Sequence, residues 1–252
     1  MFPYLLRTDS GFIYTFTAVW IVGLLFSAWL IYQQDNKFAG WDGLLAAGVV
    51  GLLCGRLQFV WQNGEWFSEQ SAERWNLLQG GFGYAGVILG GLIGLFLWSL
   101  ITRFPLKSTW IMLASVMSLL YFTGWLACWF DGCGYGANTF INWYAAPLPD
   151  NFGLITVRYR TQLAGMLLSI VVSLWLAYRH YIVEKRIQQA AMFWLLLGLF
   201  SAGRIAIYQF QGDDVPQFGQ FRADVVFATI IVLLSLVMII GEGIYSKRKS
   251  KA

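Results

Sequence analysis

Two arginines interrupt stretches that are otherwise apolar: Arg56 in GLLAAGVVGLLCGRLQFVW and Arg204 in MFWLLLGLFSAGRIAIYQF. A guanidinium keeps its proton at any physiological pH. Inside a bilayer helix it therefore needs an anion, a ring of carbonyls or a wet cavity, and an ionisable group at that depth is by default a functional-site candidate. The chemistry on offer is recognition of an anion at a membrane face. For Arg204 the competing expectation is a structural ion pair with Asp131, Asp213 or Asp214; for Arg56 it is snorkelling to the nearer interface.

The other reactive side chains offer less. The sole histidine, His180, falls in YRHYIVEKR at the opposite membrane end and is expected to be solvated there. Cys54, Cys128 and Cys133 lack His or carboxylate neighbours at ligand spacing, so no metal and no cofactor are expected. Packed thiols are the expected state of Cys128 and Cys133, with a disulfide as the alternative.

Composition sets the elements that must carry these residues. The chain is 58% hydrophobic, 18% aromatic and only 12% charged, with a mean hydropathy of +0.59. Soluble domains carry about 25% charged residues, so this is a polytopic membrane protein. Seven apolar runs are long enough to span, at about 20 residues each: Ile13–Tyr32, Trp41–Trp61, Gly81–Leu100, Trp110–Phe130, Gln162–Tyr178, Ala191–Phe210 and Val225–Tyr245. The expected fold is an all-α bundle of seven transmembrane helices forming a single domain over residues 1–252. MFPYLLRTDSGF has no signal-peptide pattern, so the first span is expected to stay in the mature chain.

Basic residues between the spans set the orientation. Ten Lys and Arg, including the SKRKSKA tail, fall on one side and five on the other. The positive-inside rule places the N-terminus outside and the C-terminus in the cytoplasm. The net charge of +4 is thus a topology signal, and no basic stretch interleaved with aromatics points to nucleic acid. In this orientation Arg56, Arg204, Asp131 and Tyr84 converge on the outer half. The two longest connections, about 62–80 and 131–161, lie there too. Asp131 either caps the fourth span or orients a ligand. Trp61, Trp66, Trp75, Trp125, Trp129, Trp143 and Tyr144 read as an interfacial aromatic belt.

QGGFGYAGVILGGLIG concentrates glycine at the start of the third span. Gly86, Gly90 and Gly94 have the spacing that lets membrane helices approach closely. Gly80, Gly81 and Gly83 precede them, where a turn could offer backbone N–H groups to an anion. With no preceding strand, the run is not a nucleotide-binding loop.

Taken together, these segments resemble the prolipoprotein diacylglyceryl transferase family. AVWIVGLLFSAWLIY is similar to the family's first helix, GRLQFVWQN to its arginine-led second-helix segment, and QGGFGYAGVILGGLIG to its glycine-rich stretch. DGCGYG resembles the family's turn after the fourth helix, RTQL its Gln-Leu turn, and SAGRIAIYQFQGDD its arginine-bearing sixth helix. The resemblance implies a bacterial cytoplasmic (inner) membrane protein of the lipoprotein-biosynthesis pathway. Such an enzyme transfers diacylglycerol from phosphatidylglycerol to the cysteine thiol of a lipobox-containing prolipoprotein. It implies Arg204 as the catalytic cation, and Arg204, Arg56, Asn63, Tyr135 and Gln162 as residues around a phospholipid headgroup; Tyr84 and Asp131 join them as headgroup candidates from their place in the outer half.

Several family positions are changed. The histidine or tyrosine after the Gly-Gly pair falls on Ala85, the fourth-helix arginine on Trp125, and the asparagine three residues later on Cys128. Two tyrosines fall on Phe16 and Phe200, and the glutamate closing the Gln-Leu turn falls on Gly165. Two functions follow: a transferase with an outward-facing phospholipid pocket, or a catalytically degenerate phospholipid-binding subunit of a membrane complex. A transporter is disfavoured, since no inverted repeat or broken-helix pair is visible.

Overall fold

Long helices form where the chain runs apolar without proline. Pro105 stands immediately before one helix, and Pro147, Pro149 and Pro216 fall between helices. The computed structural model describes residues 4–8, 11–35, 41–77, 81–150, 153–181 and 189–249. Its long helices are α1 (Thr15–Asp35), α2 (Trp41–Gln62), α4 (Tyr84–Thr102), α5 (Leu106–Asp131), α6 (Thr161–Tyr181), α7 (Gln189–Tyr208) and α8 (Ala223–Lys249). Each contains an apolar segment of 18 to 22 residues, enough to cross a bilayer.

Between α2 and α4 lie a short helix, α3 (Gly64–Glu69), and a 3-10 turn, Ser71–Trp75. Among the described residues three antiparallel hairpins accompany the helices: β1–β2 (Tyr4–Thr8, Gly11–Tyr14), β3–β4 (Ala145–Pro149, Ile155–Tyr159) and β5–β6 (Gln217–Phe218, Phe221–Arg222). They qualify the all-α expectation without changing the class. Because seven spans alternate in direction, the three hairpins and α3 all emerge on one side of the bundle. That loop-bearing side carries the candidate site.

Two helix contacts position it. α2 and α4 approach through glycine. A Cβ on Gly86 would lie 2.5 Å from the Cys54 carbonyl oxygen, one on Gly94 2.7 Å from the Ala46 oxygen, and one on Gly51 2.9 Å from the Val87 oxygen. The small-residue spacing read from the sequence is therefore a backbone-to-backbone seam. α5 packs on α6 and α7 around a core that includes Trp110, Trp125, Trp194, Leu197 and Phe200, while α7 lies along α8. Leu, Ile and Val side chains such as Leu25, Leu45, Leu174 and Val237 stay exposed on the outer helix faces, as a lipid-facing surface requires.

Candidate active site around Arg204

Four residues along one helix bring a side chain back to the same face, and α7 uses this at Arg204 and Tyr208. Arg204 Nε donates to Tyr208 Oη at 2.7 Å. The guanidinium then lies over aromatic rings from three helices, 4.3 Å from the centroid of Tyr84 on α4, 4.7 Å from Trp125 and 6.0 Å from Tyr121 on α5, and 5.5 Å from Tyr208 itself. Ring faces attract a cation but do not neutralise it. Among the described residues Arg204 has no carboxylate partner. Ion pairs among the described residues include Arg158 with Asp150, and Arg222 with Asp213 and Asp224.

The cage is itself held in place. Tyr84 Oη and Ser201 Oγ are 3.1 Å apart, and Tyr121 Oη donates to the Phe200 carbonyl at 3.3 Å while its ring stacks on Phe200 at 4.3 Å. Tyr121, Ser201 and Tyr208 were not among the sequence candidates. Only Tyr208 had a readable signal, its spacing from Arg204.

Arg56 is placed differently. The residue is 2% exposed, and its guanidinium donates to the backbone carbonyls of Arg74 at 2.8 Å, Glu73 at 2.6 Å and Gly81 at 3.2 Å, between the rings of Phe59 and Phe67. None of these partners is shared with Arg204 among the described residues, where the two cations sit in separate surroundings. Arg56 instead grips the segment entering α4, which presents Tyr84 to Arg204 three residues after Gly81. The same entrance uses its N–H groups internally: Gly83 N donates to the Gly55 carbonyl at 2.8 Å, and Gly86 N to Gln58 Oε1 at 2.5 Å. Gly80 lies outside the described residues, as does the side chain of His180.

Beyond α5 the chain makes a hub. Gly132, with φ +87°, closes the helix by donating to the Cys128 carbonyl at 2.8 Å. This reversal folds Cys133 back onto α5, and Cys128 and Cys133 form a disulfide. The expectation of two packed thiols is thereby corrected; the left-handed glycine brings their Cα atoms to 4.6 Å. The turn's carbonyls then receive donors from other elements. Cys133 O accepts from Gln162 Nε2 at 3.1 Å, Gly134 O from Thr161 Oγ1 at 2.7 Å, and Tyr135 O from Gly212 N at 2.9 Å. Tyr135 lies beneath Arg158, 4.7 Å from ring centroid to guanidinium, and burial together with Asp213 and Asp150 raises its hydroxyl above the ordinary range against the pull of Arg158. Asp131 ends α5 half-buried and has no ion pair among the described residues. Asn63 donates to the Phe59 carbonyl at 2.9 Å where α2 gives way to α3.

Comparison with known proteins fits this arrangement: residues 3–241 match the prolipoprotein diacylglyceryl transferase family model. The chain belongs to that family. It is also 27% identical over 199 residues to the phosphatidylglycerol–prolipoprotein diacylglyceryl transferase of Fervidobacterium nodosum, covering 77% of this chain and 67% of that relative.

The positions where the chain departs from the transferase pattern read from sequence now have surroundings. Trp125, 2% exposed, packs against both the Arg204 guanidinium and Gly165. Phe200 and Phe16 are buried. Ala85 helps line a groove of about 310 Å³ between α2, α4 and α8, together with Leu57, Gln58, Trp61, Leu89 and Phe227. Its walls are almost wholly apolar.

Proposed function

We propose that this transferase-family protein holds an anionic phospholipid on the outward side of a bacterial cytoplasmic membrane, with the lipid phosphate at Arg204. One observation carries the reading: a half-buried guanidinium stands among aromatic rings with no carboxylate partner among the described residues. A phosphate supplies the missing charge. The apolar groove beside Ala85 offers room for an acyl chain. The excess of Lys and Arg on the opposite side supports an outward-facing site, and so does the Cys128–Cys133 bridge, since disulfides persist in oxidising compartments. In this reading Arg56 supports the site by fixing the entrance of α4.

In the family reaction a lipobox cysteine thiolate attacks the glycerol carbon bearing the phosphate ester. A carbon–sulfur bond forms, the carbon–oxygen bond breaks, and glycerol phosphate leaves with the electron pair. Arg204 stabilises the leaving phosphate, and interfacial water takes the thiol proton. A single such charge contact is worth about 2.7–4 kcal/mol in a transition state.

A second reading, a phospholipid-binding accessory subunit without turnover, is favoured by Trp125. The indole occupies the position of the second arginine expected from the family pattern and fills the space beside Gly165. Complementation of bacteria depleted of their own diacylglyceryl transferase separates the two. Growth and lipoprotein thioether lipid restored by this chain, and lost in Arg204→Ala, support the enzyme. Inserted protein that retains phospholipid without rescue supports the subunit. Phospholipid retained equally by wild type and Arg204→Ala would sink the pocket itself.

A further inference from the structure

We infer that the loop 139–144, with Arg160, is a membrane-interface anchor that seats the β3–β4 hairpin on the anionic phospholipid leaflet of the loop-bearing side. Three large apolar side chains within four residues stand almost free of the protein: Phe140 is 91% exposed, Ile141 77% and Trp143 82%. Single exposed hydrophobics are ordinary, but a cluster at this density marks an interaction surface.

The loop is firm enough to present them. Thr139 N donates to the Val157 carbonyl at 2.9 Å, Ala145 N to the Asn142 carbonyl at 3.0 Å, and Trp143 N to Asn142 Oδ1 at 2.8 Å. Backbone groups paired within the protein are what a segment needs in order to enter a poorly hydrated layer.

Its height relative to the bilayer follows from a chain of rings. Trp143 meets Tyr144 edge-on at 5.4 Å, Tyr144 stacks on Tyr159 at 5.7 Å, and Tyr159 meets Phe210 at 5.2 Å. Tyr159 stands two residues before the first residue of α6, and Phe210 two residues after the last of α7. The rings thus connect the loop to the ends of two spanning helices, the level at which Trp and Tyr favour a membrane. Arg160 N donates to the Tyr144 carbonyl at 3.1 Å, and its exposed side chain has no ion pair among the described residues. The loop itself, TFINWY, carries no carboxylate. An apolar tip flanked by a free cation fits an anionic lipid surface.

The test places an environment-sensitive fluorophore at Phe140→Cys or Trp143→Cys in full-length Cys54→Ala protein, with the Cys128–Cys133 bridge intact. A label at Asp214→Cys is the aqueous reference. The proteins are reconstituted in nanodiscs of phosphatidylcholine with or without phosphatidylglycerol. Labels at 140 and 143 are expected to emit further to the blue than the reference and to be quenched several-fold more by lipid-borne nitroxide. Adding phosphatidylglycerol increases that quenching, and Arg160→Ala abolishes the increase. Labels reached by aqueous iodide as readily as the reference overturn the inference. Labels shielded from both quenchers also overturn it, because they report cover by protein.

Discussion

The indole of Trp125 fills the volume that a side chain on Gly165 would occupy. The same indole lies 4.7 Å from the Arg204 guanidinium. The α5–α6 contact and the cage around Arg204 therefore share one side chain. Packing at Gly165 and the position of the cation are expected to be energetically coupled.

Gly165→Ala forces a Cβ into the indole and is expected to cost about 1–3 kcal/mol. In Trp125→Leu the smaller side chain should accept that methyl with less loss. A double-mutant cycle of the two changes should then show a coupling of about 0.5–3 kcal/mol. Reversible unfolding of the four proteins in detergent measures it, and strict additivity would contradict the shared role.

Glycines on the membrane helices separate into two kinds. A Cβ on Gly86 meets the Cys54 backbone, which cannot move aside as a flexible side chain can, whereas one on Gly48 has nothing within 4 Å. Gly86→Ala is expected to push α2 from α4 and destabilise by about 1–3 kcal/mol. Gly48→Ala should be neutral, or stabilising by up to about 1 kcal/mol. Denaturant titration of both variants checks this, and equal losses would count against the glycine seam.

The spans were legible because an apolar run about 20 residues long has few alternatives to a membrane helix. Their ends moved little, for example from Trp110 to Leu106 at the start of the fourth span and from Gly81 to Tyr84 at the start of the third. The hairpins were not legible. β5 and β6 are two residues each, too short for alternation to register. At the site, sequence identified the cations and Tyr84 but not Tyr121, Ser201 or Tyr208. Arg56 is satisfied by carbonyls, which every residue carries, and three of the rings around Arg204 come from other helices. The disulfide stood only as the alternative for a related reason. Residues five apart on a helix do not face each other, and only the reversal at Gly132 brings Cys133 back to Cys128.

Outside the membrane spans, Asp213 gives a signed pH dependence. Burial pushes its carboxyl above the usual carboxylate range, and Arg222, 3.2 Å away, offsets only part of the shift while Asp224 adds to it. The folded protein therefore holds this proton more tightly than the unfolded chain. The resulting stabilisation is complete below about pH 4 and is lost as pH rises through the folded-state pKa. Wild type should lose stability relative to Asp213→Asn as the pH is raised from that point toward neutrality. Melting temperatures of the two proteins across this range provide the measurement, and parallel curves would exclude Asp213 as the source.

The Cys128–Cys133 bridge joins α5 to a turn that also receives Thr161 and Gln162 from α6 and Gly212 from the segment after α7. Loop-closure entropy for so short a ring is worth roughly 2 kcal/mol. The Cys128→Ser, Cys133→Ser protein should lose about that much, with faster hydrogen exchange near residues 132–136 and 211–212. The α2–α4 seam, which shares none of these contacts, should keep its protection. The same bridge tests orientation. In intact spheroplasts a membrane-impermeant reductant should expose both thiols to alkylation if the loop-bearing side faces outward. Thiols that respond only after the membrane is opened would place the turn, and Arg204 with it, on the cytoplasmic side.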